Sequence, residues 1–88
     1  MLVRARREAL PTLGPRLAEV RGVAEVYTVT GDWDFVAMVR VREHEELATV
    51  VTREIARLEG IERTRTMVAF QQFSPHDLEA MFGLGAEG

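Results

Sequence analysis

Leu17-Ala18-Glu19-Val20-Arg21-Gly22-Val23 and Ile55-Ala56-Arg57-Leu58-Glu59-Gly60-Ile61 align position by position at an offset of 38 residues. Each copy reads as the end of a helix, a glycine that stops it, and the β-branched start of a strand. The same offset lays Val3-Arg4 on Val41-Arg42 and Thr28 on Thr66. The chain is therefore a strand-helix-strand unit written twice. Two right-handed split βαβ units interleave as a four-stranded antiparallel sheet with both helices on one face. The expected fold is α+β, ferredoxin-like, in the order βαββαβ.

Working outward from the repeat, Leu2 to Ala5 is a short first strand. Leu10, Leu13, Leu17 and Val20 recur at helical spacing. Pro11 and Pro15 fit only near a helix start, which sets that start between Ala9 and Thr12. Val23 to Thr30 and Phe35 to Arg42 are strands joined by a turn. Glu43 to Leu58 is the second helix, with Leu47, Val50, Val51, Ile55 and Leu58 as its apolar stripe. Ile61 to Phe73 is the last strand. Ser74-Pro75-His76-Asp77 opens a short tail helix carrying Leu78, Met81 and Phe82. Residues 1–88 thus make a single domain, with 74–88 as a C-terminal tail.

Strand alternation assigns Tyr27, Val29, Phe35, Ala37, Val39, Val41, Met67 and Ala69 to the helix-covered face. Val26, Thr28, Thr30, Val36, Met38, Thr64, Thr66, Val68 and Phe70 then fall on the other face. That face is too apolar to be left in water. A homodimer with sheet packed on sheet covers it, with the tail helping at the edge.

Composition limits the chemistry. The net charge of −3 disfavours nonspecific nucleic-acid binding. Every basic residue is arginine, and the cluster Arg4, Arg6 and Arg7 reads as a solvated strand end. There is no cysteine, hence no disulfide and no thiolate site. No apolar run is long enough to span a membrane and no signal peptide follows Met1, so the protein is expected in the cytoplasm. His44 and His76 lie at helix starts, where neighbouring acids suit the helix dipole better than a metal site. No nucleophilic triad, phosphate loop or dinucleotide fingerprint occurs. Neither a cofactor, a metal nor a catalytic residue is expected.

What remains is the turn Gly31-Asp32-Trp33-Asp34. It carries more chemistry than a hairpin requires. Amide protons at Gly31 suit a carboxylate, and Asp32 and Asp34 suit an ammonium group. Thr28, Thr30, Thr64 and Thr66 are candidate hydroxyl donors beside it, and Trp33 adds an indole. Periodicity alone favours a plainer account, in which the threonines are strand formers and the aspartates turn formers.

Val23 to Phe35, followed by a charged helix and Leu58-Glu59-Gly60-Ile61-Glu62-Arg63-Thr64-Arg65-Thr66, resembles the effector domain of the Lrp/AsnC (feast/famine) regulators. That domain is also called RAM, for regulation of amino-acid metabolism. The resemblance implies dimers formed through the sheets, rings of dimers that are often octamers, and an amino acid bound between dimers beside the Gly-x-x-Asp loop. Carried over by position, it nominates Gly31, Asp32, Asp34, Thr64 and Thr66 as ligand-binding residues. Trp33 stands where tyrosine is common. Full regulators of this family carry an N-terminal helix-turn-helix, and none precedes the domain in this sequence. The expectation is a stand-alone amino-acid sensor that oligomerises, does not bind DNA directly, and acts through a DNA-binding Lrp/AsnC partner or by another route. Two alternatives stay open: a structural oligomerisation domain without a ligand, and a dimeric α+β barrel enzyme resembling the cofactor-independent monooxygenases.

Overall fold

The computed structural model describes residues 1–75. Its strands are β1 (Leu2–Ala5), β2 (Val23–Thr28), β3 (Phe35–Val39) and β4 (Ile61–Arg65), in the sheet order β2-β3-β1-β4. All three strand pairings are antiparallel. Helix α1 (Leu10–Glu19) follows a 3-10 turn, Arg7–Ala9, and α2 (His44–Thr49) runs into a π-helical segment, Val50–Ile55. This is the ferredoxin-like α+β arrangement that the repeat predicts. The tail helix expected beyond Pro75, and with it His76, lies outside the described residues.

The repeat governs local geometry in detail. Gly22 and Gly60 both end their helical segments at positive φ, +97° and +95°, a region that L side chains avoid. Each glycine carbonyl accepts an arginine amide, from Arg40 and from Arg6 respectively. One residue past each strand start the ladder slips. Ala24 has no register partner between Val23 and Glu25, and Glu62 has none between Ile61 and Arg63. Ala24 and Glu62 are again 38 residues apart, so the bulges belong to the repeated unit.

Both helices pack on one sheet face. Val3, Ala5 and Phe35 form a single buried cluster with Leu13 and Leu17 of α1 and Val50 and Ile55 of the second helical segment. Pro11 sits in the first turn of α1, where it costs no hydrogen bond. Burying each large apolar side chain contributes about 1.5–3 kcal/mol.

Three expectations about the strands need correction. The second and third strands stop at Thr28 and Val39, and the last stops at Arg65 rather than Phe73. Met67 and Phe70 lie past its end, 63% and 95% exposed. The faces of β2 are also reversed. Val26 pairs with Ala37 on the core side, whereas Tyr27 pairs with Val36 on the open side and is 51% exposed. The connection from Thr28 to Phe35 spans residues 29–34, an even number. An even loop places odd residues of one strand opposite even residues of the next. Tyr27 therefore cannot share a face with Phe35. On β4, the bulge at Glu62 puts Thr64 opposite Val3, on the helix-covered side, and Arg63 opposite Arg4 on the open side. The open face thus carries Tyr27, Val36, Met38, Leu2, Arg4 and Arg63.

Candidate functional site

The loop after β2 is held in place from both sides of its turn. Gly31 makes the turn at φ +102°, and nothing lies within 4 Å of where its side chain would be. The Asp34 amide donates to the Val3 carbonyl at 3.0 Å. The Asp34 carboxylate in turn accepts from the Ala5 amide at 2.8 Å. A side chain thereby extends the ladder between β1 and β3 beyond the last paired residues. Val29 donates to the Asp34 carbonyl at 3.0 Å, closing the loop on itself. At the tip, Arg4 donates through Nε and Nη2 to the Asp32 carbonyl, at 2.9 and 2.5 Å. The Asp32 carboxylate makes no hydrogen bond or ion pair among the described residues.

Trp33 folds back over the open face of the sheet. Its ring lies 5.5 Å from the Arg4 guanidinium carbon and 5.9 Å from that of Arg63. Both distances fall within cation–π range. Arg4 and Arg63 are register partners on β1 and β4. The loop, β1 and β4 therefore meet at one end of the sheet.

The structure brings together only part of the expected set. Gly31, Asp32, Trp33 and Asp34 are contiguous, with Thr30 exposed beside them. Thr28 and Thr64 lie on β2 and β4, the two opposite edges of the sheet. At roughly 4.8 Å per strand they are about 14 Å apart. Thr64 lines a cleft of about 280 Å3 with Ile55 and Leu58 on the helix side. Thr66 is exposed just past β4. A larger cleft of about 380 Å3 lies between Gly22, Val41, Glu45, Val50 and Glu54. Neither cleft includes a residue of the 31–34 loop.

Two residues were missed from the expected site. Arg4 is half-buried and grips the loop, unlike its exposed neighbours Arg6 and Arg7. Arg63 joins it through Trp33. The sequence holds one clue, since Arg4 and Arg63 lie on the two strands that the interleaved topology makes adjacent. Among the described residues no group of three histidine or acidic side chains could hold a metal ion. No helix there is long and apolar enough to cross a membrane.

A ferredoxin-like sheet with a braced loop at one end defines an α+β domain. Residues 1–78 match the family model of the Lrp/AsnC ligand binding domain, and the chain belongs to that family. The crystal structure of TTHA0845 from Thermus thermophilus is similar over 83% of this chain and 91% of that one, with 49% identity and a TM-score of 0.77. Protein PHS023 from Pyrococcus horikoshii shares the fold at a TM-score of 0.73 and 24% identity, over 85% of this chain and 90% of its own. Among curated proteins, the HTH-type transcriptional regulator FL11 of Pyrococcus horikoshii is 31% identical over 81% of this chain and 46% of its own length. An uncharacterised HTH-type transcriptional regulator of Pyrococcus furiosus is 36% identical over 62% of this chain and 37% of its own length. The chain spans less than half the length of these curated relatives. It is a ligand-binding domain related to transcriptional regulators, and its named relatives are regulators rather than enzymes.

Proposed function

We propose that the domain senses an amino acid at the Gly31–Asp34 loop and self-associates through its open sheet face. The carrying observation is the way the loop is braced. Asp34 and Arg4 fix its backbone, while Gly31, Thr30 and the Asp32 carboxylate stay exposed. Fixed, exposed donors and acceptors bind a zwitterion without first having to be ordered. Asp32 takes the ammonium group. Asp34 acts by holding the loop, since its carboxylate is engaged by the Ala5 amide.

Neither of the two clefts includes a residue of the loop, and its exposed tip leaves room for a pocket completed by a second copy. Thr64 and Thr66 are candidates from that copy, and Thr28 and Thr30 border the loop from the β2 side. Tyr27 and Met38 supply an apolar patch for sheet-on-sheet packing. Rings such as octamers are the further assembly that the family suggests. The net charge of −3 favours action on DNA through a DNA-binding regulator of the same family, and the setting is cytoplasmic.

Thermal unfolding against a panel of amino acids at millimolar concentration tests the proposal. A ligand at 100 times its Kd adds about 2.7 kcal/mol for one site, worth several degrees or more in a domain of this size. A shift confined to one or a few amino acids is the expected result. No shift with any of them would favour a structural assembly domain, in which the loop is only a braced turn.

A further inference from the structure

Arg4 and Arg63 face each other across β1 and β4 on the open sheet face. Like charges directly opposite one another are unfavourable, yet neither guanidinium has an acidic partner among the described residues. The only ion pair among the described residues is Arg40 with Glu25, on other strands. Arg4 uses Nε and Nη2 on the Asp32 carbonyl. Its Nη1 remains, and Arg63 makes no hydrogen bond among the described residues. Both cations lie against the one indole, Trp33, at 5.5 and 5.9 Å. Each guanidinium carbon thus lies within about 6 Å of the same uncharged indole, which neutralises neither.

We propose that Arg63 and Arg4, organised by Trp33, form an oxyanion-binding site that receives the carboxylate of the ligand. Arg63 presents a planar fork that matches a carboxylate in bidentate fashion. Arg4 adds its free Nη1 and ties the bound anion to the Asp32 carbonyl. Asp32 itself lies next to Trp33 in the chain, where its carboxylate takes the opposite charge of a zwitterion. The assignment of the anion as an amino-acid carboxylate rests on the sensing function proposed above. The oxyanion site itself does not.

Trp33 is the only tryptophan in the chain, so its fluorescence reports on the site directly. Sodium acetate is titrated into the protein at constant ionic strength, with chloride as the balancing ion. The wild type should show a saturable change in Trp33 emission. Arg63→Gln should weaken acetate binding by about tenfold or more, and Arg63→Lys should recover part of it as a point charge without the fork. Arg63 is exposed in a single chain and touches Trp33 at the surface, so these variants keep the fold, and circular dichroism confirms it. The absence of a saturable response, or an equal response in Arg63→Gln, overturns the site. So does a loss of assembly in Arg63→Gln with acetate binding intact, because Arg63 would then be an ion-pair partner of a second copy. The same variants in the amino-acid panel separate the two proposals. Acetate binding with no amino-acid response leaves the oxyanion site standing and removes the amino-acid assignment. An amino-acid response unchanged in Arg63→Gln removes Arg63 from the ligand site and leaves the sensing function intact.

Discussion

The Asp34 carboxylate accepts a hydrogen bond from the Ala5 amide at 2.8 Å, and the Asp34 amide donates to the Val3 carbonyl two residues away. One residue of the loop is thus stitched twice to the central strand β1. A residue nominated for ligand chemistry is employed in holding the loop.

Asp34→Ala should therefore lower stability before it touches affinity. It leaves the Ala5 amide, beside a buried side chain, without its acceptor, which costs about 1–3 kcal/mol. Asp34→Asn keeps a side-chain oxygen in place and should retain most of that. Urea unfolding midpoints of the two variants check the difference, and equal midpoints would show that the bond contributes nothing.

Arg4→Ala should free the loop tip while sparing the core. Two donors to the Asp32 carbonyl disappear, and Trp33 loses one of its two cationic neighbours. Amide exchange at residues 31–33 should speed up, with Val3, Leu13 and Leu17 unaffected. Uniform acceleration across the domain would mean that Arg4 supports global stability instead.

Glycine positions should separate by their surroundings. A Cβ on Gly22 would lie 2.7 Å from the Val50 Cγ2 methyl, whereas one on Gly31 would meet nothing within 4 Å. Gly31→Ala carries conformational strain alone, about 1–2 kcal/mol. Gly22→Ala adds a clash with the second helical segment and should cost more. Pairing it with Val50→Ala should recover part of the loss in a double-mutant cycle, and strict additivity would rule out the contact.

Assembly should depend on the open face. Tyr27 and Met38 are 51% and 38% exposed in a single chain, so Met38→Lys should change monomer stability by no more than about 0.5 kcal/mol. Light scattering should show a smaller particle for Met38→Lys than for the wild type, with unchanged circular dichroism. An unchanged mass would move the interface elsewhere.

Much of the fold was legible because it is periodic. The 38-residue offset gave both helix stops, both strand starts and the interleaved topology. It was carried by glycines whose positive φ no other residue adopts cheaply. The loop was legible as well, since its composition exceeds what a turn needs. The faces of β2 and β4 were not. Two bulges and an even loop change the parity of the alternation, and no composition marks a bulge. Hence simple alternation places Tyr27 in the core and Thr64 on the open side, the reverse of their places in the register.

The sequence by itself determined the class of the protein: a doubled βαβ unit, two glycine-capped helical segments and a loaded loop between β2 and β3. These are local properties, set by backbone preference and hydrophobic spacing within a few residues. Only the tertiary structure decided which partners the loop has. Arg4 and Arg63 are far apart in sequence and become cross-strand neighbours when β1 inserts between β3 and β4. That insertion brings two arginines to Trp33, turns Asp34 into a brace, and separates Thr28 from Thr64 by the width of the sheet. Long-range register arises from the packing of the whole domain, so no short stretch of residues encodes it.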